Sequence, residues 1–88
     1  MVSKKIILKN ETGLHARPAS ELVKLTSKFK SNIDMIVGEK RVNAKSMLGI
    51  MSAGITANTE IIIECDGEDE EKALKEIEAA FENKFGEN

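Results

Sequence analysis

The 88-residue chain carries 13 Lys and Arg against 15 Asp and Glu, a formal net charge of −2, and has neither Trp nor Tyr. That length suits a single domain spanning residues 1–88, and the charge and scarcity of aromatics argue against a nucleic-acid partner. The one cysteine, Cys65, excludes an internal disulfide, and the short apolar N-terminal run excludes a signal-peptide core or a membrane span, so a cytoplasmic protein is expected.

Val2–Lys9 is rich in Ile and Leu and reads as a strand. Asn10-Glu11-Thr12-Gly13 is a turn cluster. Ala19, Leu22, Val23, Thr26 and Phe29 then recur at helical spacing, which predicts a helix over Ala16–Lys28. Asn32–Val37 alternates and reads as a strand. Gly38-Glu39 is a tight connection, and Lys40–Asn43 is its hairpin partner. Ser46–Ser52 predicts a short helix opened by Ser46 and weakened by Gly49.

Thr59–Cys65 is the fourth strand, with Cys65 read as a reduced thiol at its end. In the last segment Ala73, Leu74, Ile77, Ala80, Phe81 and Phe85 lie along one helical face. Glu68–Glu71 place negative charge at its positive end, Lys84 falls in its last turn, and Gly86 stops it. The order β-α-β-β-α-β-α predicts an α+β fold: helices on one face of a mostly antiparallel sheet, the other face wet.

Candidate chemistry concentrates in Gly13-Leu14-His15-Ala16-Arg17-Pro18-Ala19-Ser20. His15, the only histidine, stands where loop gives way to helix. Pro18 fits a first helical turn, where N–H groups lack partners anyway. An ordinary cap would be Ser, Thr, Asp or Asn, and imidazole is a poor substitute. The N–H groups near Ala16 and Arg17 are therefore candidates to hold an anion, phosphate in particular, with Arg17 adding a fixed charge. Neutral imidazole is a competent nucleophile near pH 7. Residue chemistry alone leaves two readings open: a phosphoryl-accepting histidine, or a surface histidine without a role. With one His and one distant Cys, no metal-ligand spacing exists, and no cofactor is implied.

The string Gly-Leu-His-Ala-Arg-Pro-Ala resembles the active-site signature of the histidine-containing phosphocarrier (HPr) family, carriers of the bacterial phosphoenolpyruvate-dependent sugar phosphotransferase system. Lys45-Ser46-Met47-Leu48-Gly49-Ile50-Met51-Ser52-Ala53-Gly54 resembles the family's second signature, around a regulatory serine, as in its Gram-positive members. The resemblance runs the length of the chain. It implies an open-faced sandwich of four antiparallel strands covered on one face by three helices. It also implies that His15 accepts the phosphoryl group at Nδ1, that Arg17 is its phosphate-side partner, and that the chain is a carrier, not an enzyme. Enzyme I would donate and enzyme IIA receive.

Ser46 suits a helix cap in any case. The resemblance adds its phosphorylation by an HPr kinase/phosphorylase and, through it, contact with a catabolite-control transcription regulator. Phosphate at a helix start is electrostatically favourable. By the same resemblance Met47, Leu48 and Met51, with Ser20, Lys24 and Ser27 on the first helix, form a partner-docking face, for which adaptable Met side chains are suited. Ala53 and the order Met47-Leu48 depart from common family usage and touch only that face. A monomer is the default expectation. A regulatory-branch carrier, a non-catalytic regulatory module acting through Ser46 and a small ligand-binding α+β domain are the competing readings.

Overall fold

A computed structural model describes residues 1–87; the expected domain extends to Asn88, which lies outside the described residues. Four strands, β1 (Val2–Ile7), β2 (Asn32–Val37), β3 (Lys40–Asn43) and β4 (Glu60–Asp66), form one sheet in the order β1-β4-β2-β3. All three pairings are antiparallel. Helices α1 (Ala16–Thr26), α2 (Met47–Ser52) and α3 (Glu70–Glu82) complete the open-faced sandwich that was expected.

Period-two alternation decides which strand residues face the helices. Register aligns Ile6 with Ile61, and Met35 with both Ile63 and Val42, on one face. Ile61, Ile63, Ile33 and Met35 are buried there against Leu22, Ile50, Ile77 and Phe81 from the three helices. The opposite face is wet and charged. On it Arg41 Nη1 reaches Asp34 at 3.0 Å and Glu64 at 2.7 Å, bridging β3, β2 and β4.

The termini of several elements differ from expectation. β1 closes at Ile7, although Leu8 keeps sheet-like bonding through Leu8 N–H to Thr59 C=O at 3.0 Å. β4 begins and ends one residue later than predicted, at Glu60 and Asp66. Helix α1 stops at Thr26 and not Lys28, because the next turn tightens: Lys28 N–H bonds Leu25 C=O and Phe29 N–H bonds Thr26 C=O. Two ties hold that end. Thr26 Oγ1 donates to Ala44 C=O at 2.9 Å, and Lys45 Nζ donates to Phe29 C=O at 2.7 Å.

Helix α3 departs most. It ends at Glu82, so neither Lys84 nor Phe85 belongs to it, and Gly86 does not cap it. A 3-10 turn, Lys84–Gly86, follows, in which Lys84 and Phe85 have φ of 54° and 53°. Left-handed backbone costs about 1–2 kcal/mol per non-glycine residue. Burial of the Phe85 ring, about 1.5–3 kcal/mol, offsets much of that cost. The ring packs edge-on against Phe81 with centroids 4.9 Å apart. The face continuing from Phe81 to Phe85 is thus met by a reversal of the chain.

Asp69 precedes α3 without capping it through its side chain. Its carboxylate reaches across to accept from Lys30 N–H at 2.9 Å, Ser31 N–H at 3.0 Å and the Ser31 hydroxyl. Those bonds join the loop after α1 to the start of α3. Cys65 is a free, buried thiol on the core side of β4, pushed up to about 11 by burial and by Glu70 and Asp69.

Candidate functional site

The loop leading into α1 is fixed from both sides. Gly13 N–H bonds Asn10 C=O at 3.1 Å, and Leu14 N–H bonds Ile55 C=O at 3.0 Å. Gly13 has φ of 76°, and a Cβ there would stand 2.6 Å from the Ile55 carbonyl oxygen. Only glycine allows this approach of loop to loop. Leu14 is buried beside it, which leaves His15 as the first exposed residue at the helix start.

His15 is the N-cap of α1, in extended conformation, and its side chain makes no cap bond. Its carbonyl accepts from Ala19 N–H at 3.0 Å, the first bond of the helix. Pro18 has no N–H to leave unpaired. The amide donors of the first turn are therefore Ala16 and Arg17, and α1 has no acidic residue there to compete for them.

The C-terminal turn supplies the far wall. Glu87 Oε2 lies 3.1 Å from His15 Nε2 and 3.7 Å from Arg17 Nη1. Asn10 holds that carboxylate: its Nδ2 donates both to Lys84 C=O, at 2.9 Å, and to Glu87 Oε1. Donation to a carbonyl fixes which end of the Asn10 amide is nitrogen. Asn10 Oδ1 then stays buried without a hydrogen-bond partner among the described residues. His15, Arg17, Asn10, Thr12 and Glu87 line a depression of about 390 Å³. The His15 side chain is 43% exposed, open enough for another protein's reactive group to reach.

Asn10 and Glu87 have no place in the sequence-derived site. Asn10 carries only a turn signal in the sequence, and Glu87 carries none. The partners stand 77 positions apart, so no local spacing announces their meeting.

The residues expected to dock partners form two patches. On α1 Lys24 is exposed and Ser20 half-buried, and Ser27, exposed, is the C-cap just after the helix, all on one side. On α2, Leu48 is 81% and Met51 41% exposed, whereas Met47 is half-buried and Ile50 enters the core. The helices touch one another. Ser46 is the N-cap of α2, and its Oγ accepts from Gly49 N–H at 3.0 Å. Among the described residues, no helix is long and apolar enough to cross a membrane.

Residues 2–83 match the family model described as the PTS HPr component phosphorylation site. The phosphocarrier protein HPr of Xylella fastidiosa is 40% identical over 88 residues, covering 100% of this chain and 99% of that protein. A crystal structure of HPr from Thermoanaerobacter tengcongensis is 45% identical and superposes with a TM-score of 0.97, covering 100% of this chain and 99% of that one. The Bacillus subtilis catabolite repression protein Crh, seen as a swapped-domain dimer, is 37% identical with a TM-score of 0.76, covering 96% and 97% of the two chains.

Proposed function

The chain belongs to the HPr phosphocarrier family of the phosphotransferase system, and from that premise we propose that it takes a phosphoryl group onto His15 from enzyme I and passes it to enzyme IIA. One observation carries the residue assignment: the N-cap of α1 is an exposed imidazole with no cap bond, beside Arg17 and two amide donors.

In the accepting step the Nδ1 lone pair attacks phosphorus. The new P–N bond forms as the bond to the donor breaks, and the donor keeps that electron pair. Nδ1 is the ring nitrogen nearer the backbone, so the incoming oxygens meet the Ala16 and Arg17 N–H groups and the Arg17 guanidinium. Donors already in place need no reorganisation when the charge arrives. The second transfer reverses these events. The chain acts as a covalent carrier in the cytoplasm, and each turnover needs two protein partners.

Exposed Leu48 and Met51 on α2, with Ser20 and Lys24 on α1, Ser27 at its C-cap and half-buried Met47, are the proposed docking face of a monomer. Ser46 lies at its border. Phosphorylation there by an HPr kinase/phosphorylase would add two negative charges to that face and serve a catabolite-control regulator.

Incubation with phosphoenolpyruvate and enzyme I should add one acid-labile, base-stable phosphate, and His15→Ala should abolish it. Persistence of the label in that variant refutes the assignment of His15. With ATP and HPr kinase, an acid-stable phosphate should appear and vanish in Ser46→Ala. Without such a phosphate on the wild-type chain, Ser46 is a cap only.

A further inference from the structure

The mechanism above uses Nδ1 of His15, yet a side chain that it does not use stands beside the other ring nitrogen. Glu87 Oε2 stands 3.1 Å from Nε2. In a neutral imidazole one nitrogen carries the proton and the other the lone pair, and the partner of each decides which. A carboxylate can only accept. We propose that Glu87 is a positioning residue that keeps the His15 proton on Nε2, leaving the lone pair on Nδ1 for the phosphoryl group. The inference rests on the reading of His15 as the acceptor and adds a cause for the choice of nitrogen.

The carboxylate is held for this purpose by groups far away in the chain. The left-handed pair Lys84 and Phe85 turns the backbone toward the loop, anchored by burial of the Phe85 ring. Asn10 Nδ2 then takes Lys84 C=O and Glu87 Oε1 together, which leaves Oε2 as the oxygen directed at the histidine. Asn10 is buried, and its own Oδ1 stays unpaired. An unpaired buried oxygen is costly, so this orientation of the amide is imposed by the two acceptors at its nitrogen. Arg17 Nη1, 3.7 Å from the same Oε2, balances the charge of Glu87. The other charged groups around the depression are Glu11 and Lys84. Because the two ring nitrogens point apart, a phosphoryl group on Nδ1 and the carboxylate beside Nε2 occupy different sides of the ring. Glu87 need not leave when the group arrives. It instead faces the Nε2 proton of the phosphorylated ring, whose positive charge makes imidazole a good leaving group in the next transfer.

The tether gives a sharp test. Long-range 15N NMR of the His15 ring, recorded on the full chain well above the ordinary imidazole pKa of about 6.5, reads the two tautomers directly. In Glu87→Ala the ratio of Nε2–H to Nδ1–H should fall roughly fivefold, the size of one net hydrogen bond. In Glu87→Gln, Asn10 would hold the amide oxygen and turn the amide NH₂ toward His15. A donor there opposes the Nε2 proton, so the ratio should fall below that of Glu87→Ala. The order wild type, Ala, Gln supports the proposal, and any other order overturns it. Should Glu87→Ala unfold, the size-matched Gln variant carries the test against wild type alone.

A chemical readout follows the same order. Phosphoramidate, releasing ammonia as its P–N bond breaks, should phosphorylate the wild type at Nδ1 and shift toward Nε2 in Glu87→Gln. An unchanged isomer ratio overturns the role of Glu87. Neither measurement uses enzyme I, so a failure here is distinct from a failure of the carrier function, which His15→Ala tests.

Discussion

Replacing Gly13 with Ala should damage the protein through two separable effects. The first is conformational: φ of 76° is left-handed, which costs an alanine about 1–2 kcal/mol. The second is steric. The new Cβ would stand 2.6 Å from Ile55 O, and backbone on both sides must move. Moving it strains or breaks the Leu14 N–H to Ile55 C=O bond, now 3.0 Å long, beside the buried Leu14. An amide left unpaired in that setting costs about 1–3 kcal/mol. Together the loss should be about 2–5 kcal/mol. At roughly 4–8 °C per kcal/mol for a domain of this size, Tm should fall by at least about 8 °C. Gly38→Ala is the internal control. Its φ is 61°, but nothing lies within 4 Å of the added carbon, so only the conformational cost applies. Urea titration of both variants separates the effects. Equal losses at the two sites would refute the claim that the loop approach demands glycine. Because the same bond positions His15, phosphoryl acceptance by Gly13→Ala should fall well beyond its loss of folded protein.

Three further outcomes are expected. Three donors hold the Asp69 carboxyl at about 2, below its ordinary value of 3.8; its contribution is complete above that ordinary value and is lost as pH falls toward about 2. Urea midpoints measured across this range should show a shallower acid decline in Asp69→Asn than in wild type, and parallel declines would remove Asp69 from the account. The Cys65 thiol should resist a thiol-specific dye in native buffer and react fully in denaturant, because it is buried and pushed up to about 11; rapid native labelling would contradict its placement. Leu48→Asp, at a side chain 81% exposed, should change stability by no more than about 0.5 kcal/mol while weakening enzyme I binding, read by calorimetry.

Elements whose signals are local were legible in the sequence. β2 and β3 take the predicted bounds because alternation and a tight turn specify a hairpin within a few residues. Ser46 caps α2 as its chemistry suggests. The end of α3 was misread for an instructive reason. Phe81 and Phe85 stand four apart, the spacing of neighbours on a helix, yet the rings also meet when the chain reverses between them. Periodicity alone does not separate those two solutions. The site divides in the same way. His15 and Arg17 are neighbours in the chain, so their meeting at a helix start could be read. Asn10 and Glu87 meet only because the sheet brings the first loop beside the last turn, and nothing local to either residue encodes that.

The reversal at Lys84 and Phe85 also bears on how the protein should be handled. Lys84, Gly86 and Glu87 line the candidate site, and the Glu87 carboxylate lies 3.1 Å from the reactive ring. A trimming that removes Glu87 is therefore an alteration of the site itself. Rates of phosphoryl transfer measured on a chain cut before Glu87 would be those of a different molecule.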